Sequence, residues 1–290
     1  MQNISKFILF STLSFLLVAC GSSNSQKDTQ PAQAPTVDNQ AESTPPATSN
    51  TPTQPVPAPT PTPVSSASID VLVLYDKEVK DAYNNVNARV NHLFAVSNNI
   101  YRDSRLNISI HAKAILFYDT QSHPALDEIY KSANIKALRE QYKADTVLIY
   151  QVNPDGEVGQ CGVAYSSSSY AQASHFKHAM YAQVEINCPT DSTAHEIGHN
   201  MGLVHSHLQN DNDEHPAPYS YGLGHGVDGK FATIMAYAHL YYTDNQIAKF
   251  SSPEYECVPG EPCGIPIGQN GEAHATKVLE VTAPMIANLY

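Results

Sequence analysis

The chain has no block of basic residues. Its 16 Lys and Arg are outnumbered by 28 Asp and Glu, which leaves a formal net charge of −12 over 290 residues. A nucleic-acid partner needs a basic patch or stripe, so none is expected here. Nor is any apolar run long enough to cross a bilayer as a helix. The longest candidate, Phe7 to Ala19, is short and interrupted by Ser11, Thr12 and Ser14, which suits a leader rather than a span. Cysteine is scarce: there are five, with none between Cys20 and Cys161 and no CxxC pair. That spacing argues against a cysteine-built structural zinc site. The acidic run Asp211-Asn212-Asp213-Glu214 could attract calcium but lacks EF-hand spacing. It reads as a solvated loop, and calcium is left without support.

What is present divides the chain into three parts. Residues 1–19 read as an export leader: Lys6, then the apolar run, then Leu17-Val18-Ala19-Cys20-Gly21. This ending resembles a bacterial lipobox, where the leader is cut before the cysteine and the cysteine is lipidated. The resemblance implies an exported lipoprotein, anchored through Cys20 at the outer membrane or cell surface, or released from it. Membrane contact is then through the lipid alone. An ordinary secretory leader with a chance Cys20 is the alternative. Residues 20–67 hold ten of the twenty prolines, among Thr, Ser, Gln, Ala and Asn. Such a segment cannot bury enough apolar surface to offset its ordering entropy, and it reads as a polyproline-II-prone tether. A propeptide is the competing reading, although the tether has no cysteine that could block a metal.

Residues 68–290 are enough for one globular domain. Ile69 to Tyr75 has the apolar run of a strand, and Asp76 to Arg105 has a long helical period. Asn107 to Tyr118 alternates like a strand. Leu126 to Tyr142 is helical with Ile129, Ile135 and Leu138 inward, and Asp145 to Val152 is a buried strand. This β-α-β-α-β order predicts an α/β domain with a mostly parallel, helix-flanked sheet. Gly162-Val163-Ala164-Tyr165 and Tyr181 to Asn187 are further short strands. Ala273 to Tyr290 is a closing helix that Pro284 should kink or divide.

One stretch carries the chemistry: His195-Glu196-Ile197-Gly198-His199-Asn200-Met201-Gly202-Leu203-Val204-His205. Residues four apart lie on one helix face, so His195 and His199 can aim two imidazoles at one zinc ion. Glu196 is rotated about 100° from His195, beside the metal, where it can polarise water. His205 can join only if the chain turns sharply, and Gly202 stands where that turn must be. Three histidines leave one position open, the arrangement of a catalytic site rather than a structural one. Thr190-Asp191-Ser192 offer the helix its N-cap.

The pattern H-E-x-x-H-x-x-G-x-x-H followed by Thr233-Ile234-Met235-Ala236-Tyr237 resembles the metzincin zinc endopeptidases, closest to their reprolysin-like and peptidyl-Asp group. The resemblance implies one catalytic zinc on His195, His199 and His205, and Glu196 as general base and then acid. Met235 becomes an apolar floor under the histidines. Gly162 to Tyr165 becomes the edge strand above the cleft. The partners implied are protein or peptide substrates, and a monomer is expected. Tyr237 has two readings: a phenol that stabilises the oxyanion in some subgroups, or a core tyrosine. His207, His215 and His225 are further candidate ligands that read better as solvated or locally bonded. Cleavage before Asp would need a cation past the scissile bond. Lys230 and Lys249 are the nearest candidates, and each also reads as an ordinary surface lysine. Cys161, Cys188, Cys257 and Cys263 allow three pairings. In an exported chain we favour Cys161–Cys188 and Cys257–Cys263, with a second zinc site as the alternative. The reading from another class is a surface-anchored zinc-binding lipoprotein that adheres without cutting.

Overall fold

The structure, a computed structural model, describes residues 16–21, 66–119, 123–152, 160–166, 173–209 and 218–290. Most of the tether (residues 22–65), the start of the leader and the acidic run 211–214 lie outside the described residues.

In chain order the main elements are β1 (Leu16–Gly21), β2 (Ala67–Tyr75), α1 (Lys77–Ala82), α2 (Val86–Asp103), β3 (Ile108–Phe117), α3 (Leu126–Lys131) and α4 (Ala133–Tyr142). They continue with β4 (Thr146–Gln151), β5 (Gln160–Ser166), α5 (Ala173–Ala179), β6 (Tyr181–Glu185) and α6 (Ser192–Asn200). One six-stranded sheet runs β1-β5-β6-β4-β2-β3. β3, β2, β4 and β6 are parallel neighbours, whereas β5 is antiparallel to β6 and β1 is antiparallel to β5. The predicted mostly parallel α/β sheet is therefore present. β4 is buried at every position, as a central parallel strand covered on both faces must be. On its outer side β5 is paired with β1, the end of the expected leader.

After α6 the chain is less regular. β7 (Gly226–Val227), β8 (Phe231–Thr233) and β9 (Gln246–Ile247) form a small sheet, β10 (Glu256–Val258) and β11 (Glu261–Pro262) a second one, and α7 (Ala275–Ile286) closes the fold. Tyr101 of α2 stacks on Phe250 at 5.6 Å between ring centroids, which seats this part on the main core.

Three expectations need correction. The helix expected from Asp76 to Arg105 is two helices, because Asn85 accepts from the Ala88 amide and caps a new start. The helix from Leu126 to Tyr142 breaks at Ser132, whose hydroxyl caps α4. α7 runs through Pro284 instead of dividing there.

At the carboxyl ends of β2, β4 and β6 the fold gathers buried oxygen atoms. Gln151 and Glu185 are register partners. Asp76 Oδ2, Glu78 Oε2, Gln151 Oε1 and Glu185 Oε2 are buried without a hydrogen-bond partner among the described residues. Burial is the main cause that raises the carboxyl pKa of Asp76 and Glu185, with the His123 charge opposing it. A carboxyl whose folded pKa lies above its unfolded one supports the fold at low pH and loses that contribution as pH rises through the folded value. Glu185→Gln is therefore expected to raise Tm at pH 8, by about 2–4 °C per kcal/mol of relieved penalty. The gain should vanish below about pH 4, where both states are protonated. Thermal unfolding followed by circular dichroism checks this, and a lower Tm at pH 8 would show that the interactions of Glu185 with His123 and Gln183 outweigh its burial.

Candidate metal centre

α6 is buried at all its positions, so each polar group on it must be satisfied by protein. Asn200 does much of this. Its Nδ2 lies 2.7–3.0 Å from the carbonyl oxygens of Tyr165, Ala179 and Tyr181, and its Oδ1 accepts from Thr146 Oγ1 at 3.2 Å. Near the other end of the helix Thr193 Oγ1 is 2.8 Å from Tyr150 Oη. The helix is thus pinned to the sheet at both ends. The N-cap is Asp191, as expected of that tripeptide, but its side chain makes no capping hydrogen bond.

The helix ends where the sequence requires. Gly202 has φ +97°, its amide donates to His199 O at 2.9 Å, and the Leu203 amide donates to Gly198 O at 3.0 Å. This is a Schellman termination. It reverses the chain so that His205 returns to the helix. The three Nε2 atoms of His195, His199 and His205 stand 3.1–3.2 Å apart. Tetrahedral ligands at 2.0–2.1 Å from zinc would stand roughly 3.3–3.4 Å apart, so the set fits the ion. Protonation agrees with this. His195 Nδ1 is 2.7 Å from Ile234 O and His199 Nδ1 is 2.8 Å from Leu203 O. Each Nδ1 carries the proton and each Nε2 turns a lone pair to the common point. Burial lowers the pKa of His195, favouring the neutral ring a metal requires. Among the described residues no other group of His, Cys, Asp or Glu converges in this way. His207 Nε2 instead meets Glu272 O, and His225 packs edge-on against Phe231. His215 lies outside the described residues.

Glu196 is 1 % exposed and lies under β5. A Cβ at Gly162 would come within 2.5 Å of Glu196 Cγ and 2.6 Å of Oε1. Only glycine at 162 lets the carboxylate occupy its place, a requirement that sequence reasoning missed. Met235 is fully buried, and a Cβ at Gly198 would lie 3.1 Å from its Sδ, so the thioether packs closely against α6. Tyr237 is half-buried. Its Oη is 3.5 Å from His205 Nε2 and its ring centroid 4.9 Å from that of His205. The structure therefore sets Tyr237 beside the histidines and not in the core.

Both favoured disulfides are present. Cys161–Cys188 has Cα atoms 5.6 Å apart and Cys257–Cys263 has them 4.8 Å apart, which removes a second zinc site on these cysteines. Cys161, Pro189, Ile234 and Tyr237 help to wall a cavity of about 280 Å³ that opens beside His195 and Glu196. Lys230 and Lys249 do not reach it. Lys230 pairs with Glu261, and Lys249 lies 5.3 Å from the centroid of the Tyr255 ring.

Two outcomes follow from this geometry. His205→Ala is expected to weaken zinc binding by at least roughly 10²-fold, the upper end of the range for outer-shell partners; competition with a chelator measures it. Gly162→Ala is expected to keep its zinc by elemental analysis yet lose on the order of 10²-fold in kcat/KM, because it displaces the Glu196 carboxylate beside the histidines.

Comparison with known proteins gives a consistent answer. Residues 65–251 match a reprolysin-type model described as metallo-peptidase family M12. The peptidyl-Asp metalloendopeptidase of Pseudomonas aeruginosa is 30% identical over 241 residues, which cover 76% of this chain and 40% of that relative. The chain thus spans well under half the length of the relative. Among solved structures, one described as a chaperone-substrate complex aligns with a TM-score of 0.55 at 22% identity, over 77% of this chain and 35% of that one. That likeness concerns fold alone. The family match contains all three histidines, the turn at Gly202 and the methionine beneath them, and the chain belongs to metallo-peptidase family M12.

Proposed function

We propose that the protein is a zinc-dependent endopeptidase that hydrolyses peptide bonds within protein or peptide substrates. The observation that carries this reading is the convergence of three buried imidazole nitrogens beside a cavity that the Glu196 carboxylate also lines. His195, His199 and His205 would hold a zinc ion, which would supply a Lewis acid for the substrate carbonyl and the attacking water. Glu196 takes the proton of the attacking water and passes it to the leaving amine, as base and then acid. The Tyr237 phenol donates to the oxyanion as it forms. Glu196 is held ready for this because Gly162 and α6 leave it no other place.

The substrate binds extended along β5, adding to the sheet through its backbone. In the full chain β1 takes that edge, with Cys20 the register partner of Gly162. Cleavage before Cys20 removes Leu16 to Ala19 and opens the edge. The remaining chain is exported and tethered by lipid on Cys20. No described helix is long and apolar enough to cross a membrane. One chain supplies every residue named, and a monomer suffices.

The test is cleavage of casein by the zinc-loaded protein with and without chelator. Wild type should cut in a chelator-sensitive way, and Glu196→Gln should retain zinc while losing roughly 10²–10⁴-fold in kcat. Absence of cleavage by wild type would leave an adhesive zinc-binding lipoprotein as the reading. Full activity in the variant would remove Glu196 from its role.

A further inference from the structure

Two glutamines outside the signature, Gln209 and Gln246, meet the same peptide unit. Gln246 Nε2 donates to Ala236 O at 3.0 Å and to Thr233 O at 2.8 Å. At the other edge of that peptide the Tyr237 amide donates to Gln209 Oε1 at 3.2 Å. The carbonyl and the N–H of the Ala236–Tyr237 peptide are thus each held by a side chain from a different stretch of chain. A peptide is planar, so holding its two polar atoms fixes the plane. Only the torsions of Tyr237 itself are then left to aim its ring.

Gln209 is fixed in turn by the segment that follows His205. Its backbone amide donates to Ser206 O at 2.9 Å, and its Oε1 also accepts from the Ser206 hydroxyl at 3.1 Å. Ser206 is fully buried. One oxygen therefore takes two hydrogen bonds, one from the residue after the third histidine and one from the peptide that carries the phenol. Reversing the carboxamide would set Nε2 against the Tyr237 N–H, donor against donor, so the orientation is forced. It leaves Nε2 buried with no hydrogen-bond partner among the described residues. A buried donor left unpaired costs stability, and the fold bears that cost for the acceptor at Oε1. The ring so aimed has its Oη 3.5 Å from His205 Nε2.

We propose that Gln209 is a positioning residue. It yokes the Ala236–Tyr237 peptide to the turn behind His205 and so keeps the Tyr237 phenol beside the histidines, while Gln246 holds the carbonyl edge of the same peptide. The assignment rests on the peptidase reading, in which that phenol meets the oxyanion. Such a donor acts only at hydrogen-bond distance from the developing charge, and a displacement of about 1 Å can cost on the order of 10²-fold in rate.

The test is a double-mutant cycle. Gln209→Met keeps the length of the side chain and removes the acceptor. In zinc-loaded protein it should lower kcat by about tenfold and leave KM within about twofold. Tyr237→Phe should lower kcat by on the order of 10²-fold. Adding Gln209→Met to it should cost less than about twofold more, because the two residues act as one unit. Gln209→Glu still accepts from the Tyr237 amide and should keep at least about a third of wild-type kcat. Zinc affinity, measured by competition with a chelator, should stay within about twofold in every variant. Calorimetry gives a readout without turnover. The affinity of a peptide with a phosphinate in place of the scissile amide should fall by about tenfold in Gln209→Met, and that effect should vanish in the Tyr237→Phe background. A loss of about tenfold in kcat that persists in that background overturns the proposal. So does a zinc affinity that falls with Gln209→Met, since Gln209 would then act through His205. Should Gln209→Met fail to fold, Gln246→Met releases the carbonyl edge of the same peptide and enters the same cycle with the same expected outcomes. Coupled phosphinate affinities with no cleavage of any peptide by wild type would keep the positioning role and remove the peptidase reading. Cleavage without coupling would do the reverse.

Discussion

At Gly202 the backbone enters the left-handed region, and two hydrogen bonds to the last turn of α6 lock it there. A side chain at this position would be strained. Continued as a helix, the chain would carry His205 about 9 Å along the axis from His199. With the turn, the three ring nitrogens stand within 3.2 Å of one another. Two histidines on a helix offer a metal an edge, whereas the third makes a closed face with one open side. The whole site depends on that reversal.

The turn would achieve little if the helix could shift. α6 has no exposed face, so it is held by a ring of specific contacts rather than by an amphipathic stripe. Asn200 bonds the carbonyls of both β5 and β6, joining the metal helix to the strand that covers Glu196. The Ile234 carbonyl orients His195 and precedes the buried Met235. A Cβ at Gly224 would come within 2.3 Å of the Met235 carbonyl, so the floor, too, is set by a backbone approach that only glycine permits. Each wall of the site is therefore tied to another wall, which is how a first shell is kept in place by its surroundings.

The chemistry was legible in the sequence because fixed spacings carried it. The offsets among His195, His199 and His205 specify a face and a turn, and Met235 follows as the accompanying signal. The parallel sheet was legible because Val71 to Leu74 and Val147 to Tyr150 are continuous apolar runs, as doubly covered strands must be. The breaks at Asn85 and Ser132 were not, since apolar periodicity continues across a short interruption. Arg139 was hidden for another reason. Leu138 packs against the core as expected, but Arg139 beside it is buried too, its guanidinium donating to the carbonyls of Ala144, Asp145 and Lys177. Only the fold reveals where such unpaired carbonyls lie. Gly162 and Asn200 belong to the same class, as their roles are set by partners 19 to 54 residues away that are met only on packing.

The Cys161–Cys188 bond joins the start of β5 to the approach of α6, and its Cys161 forms part of the cavity wall. It stands one residue from Gly162, which covers Glu196. The shape of the cleft is therefore coupled to the oxidation state of its surroundings. Reduction would free the strand over Glu196 from its covalent tie to the segment that leads into α6, and oxidising surroundings would keep that tie. Where the chain resides thus becomes part of how its site is assembled.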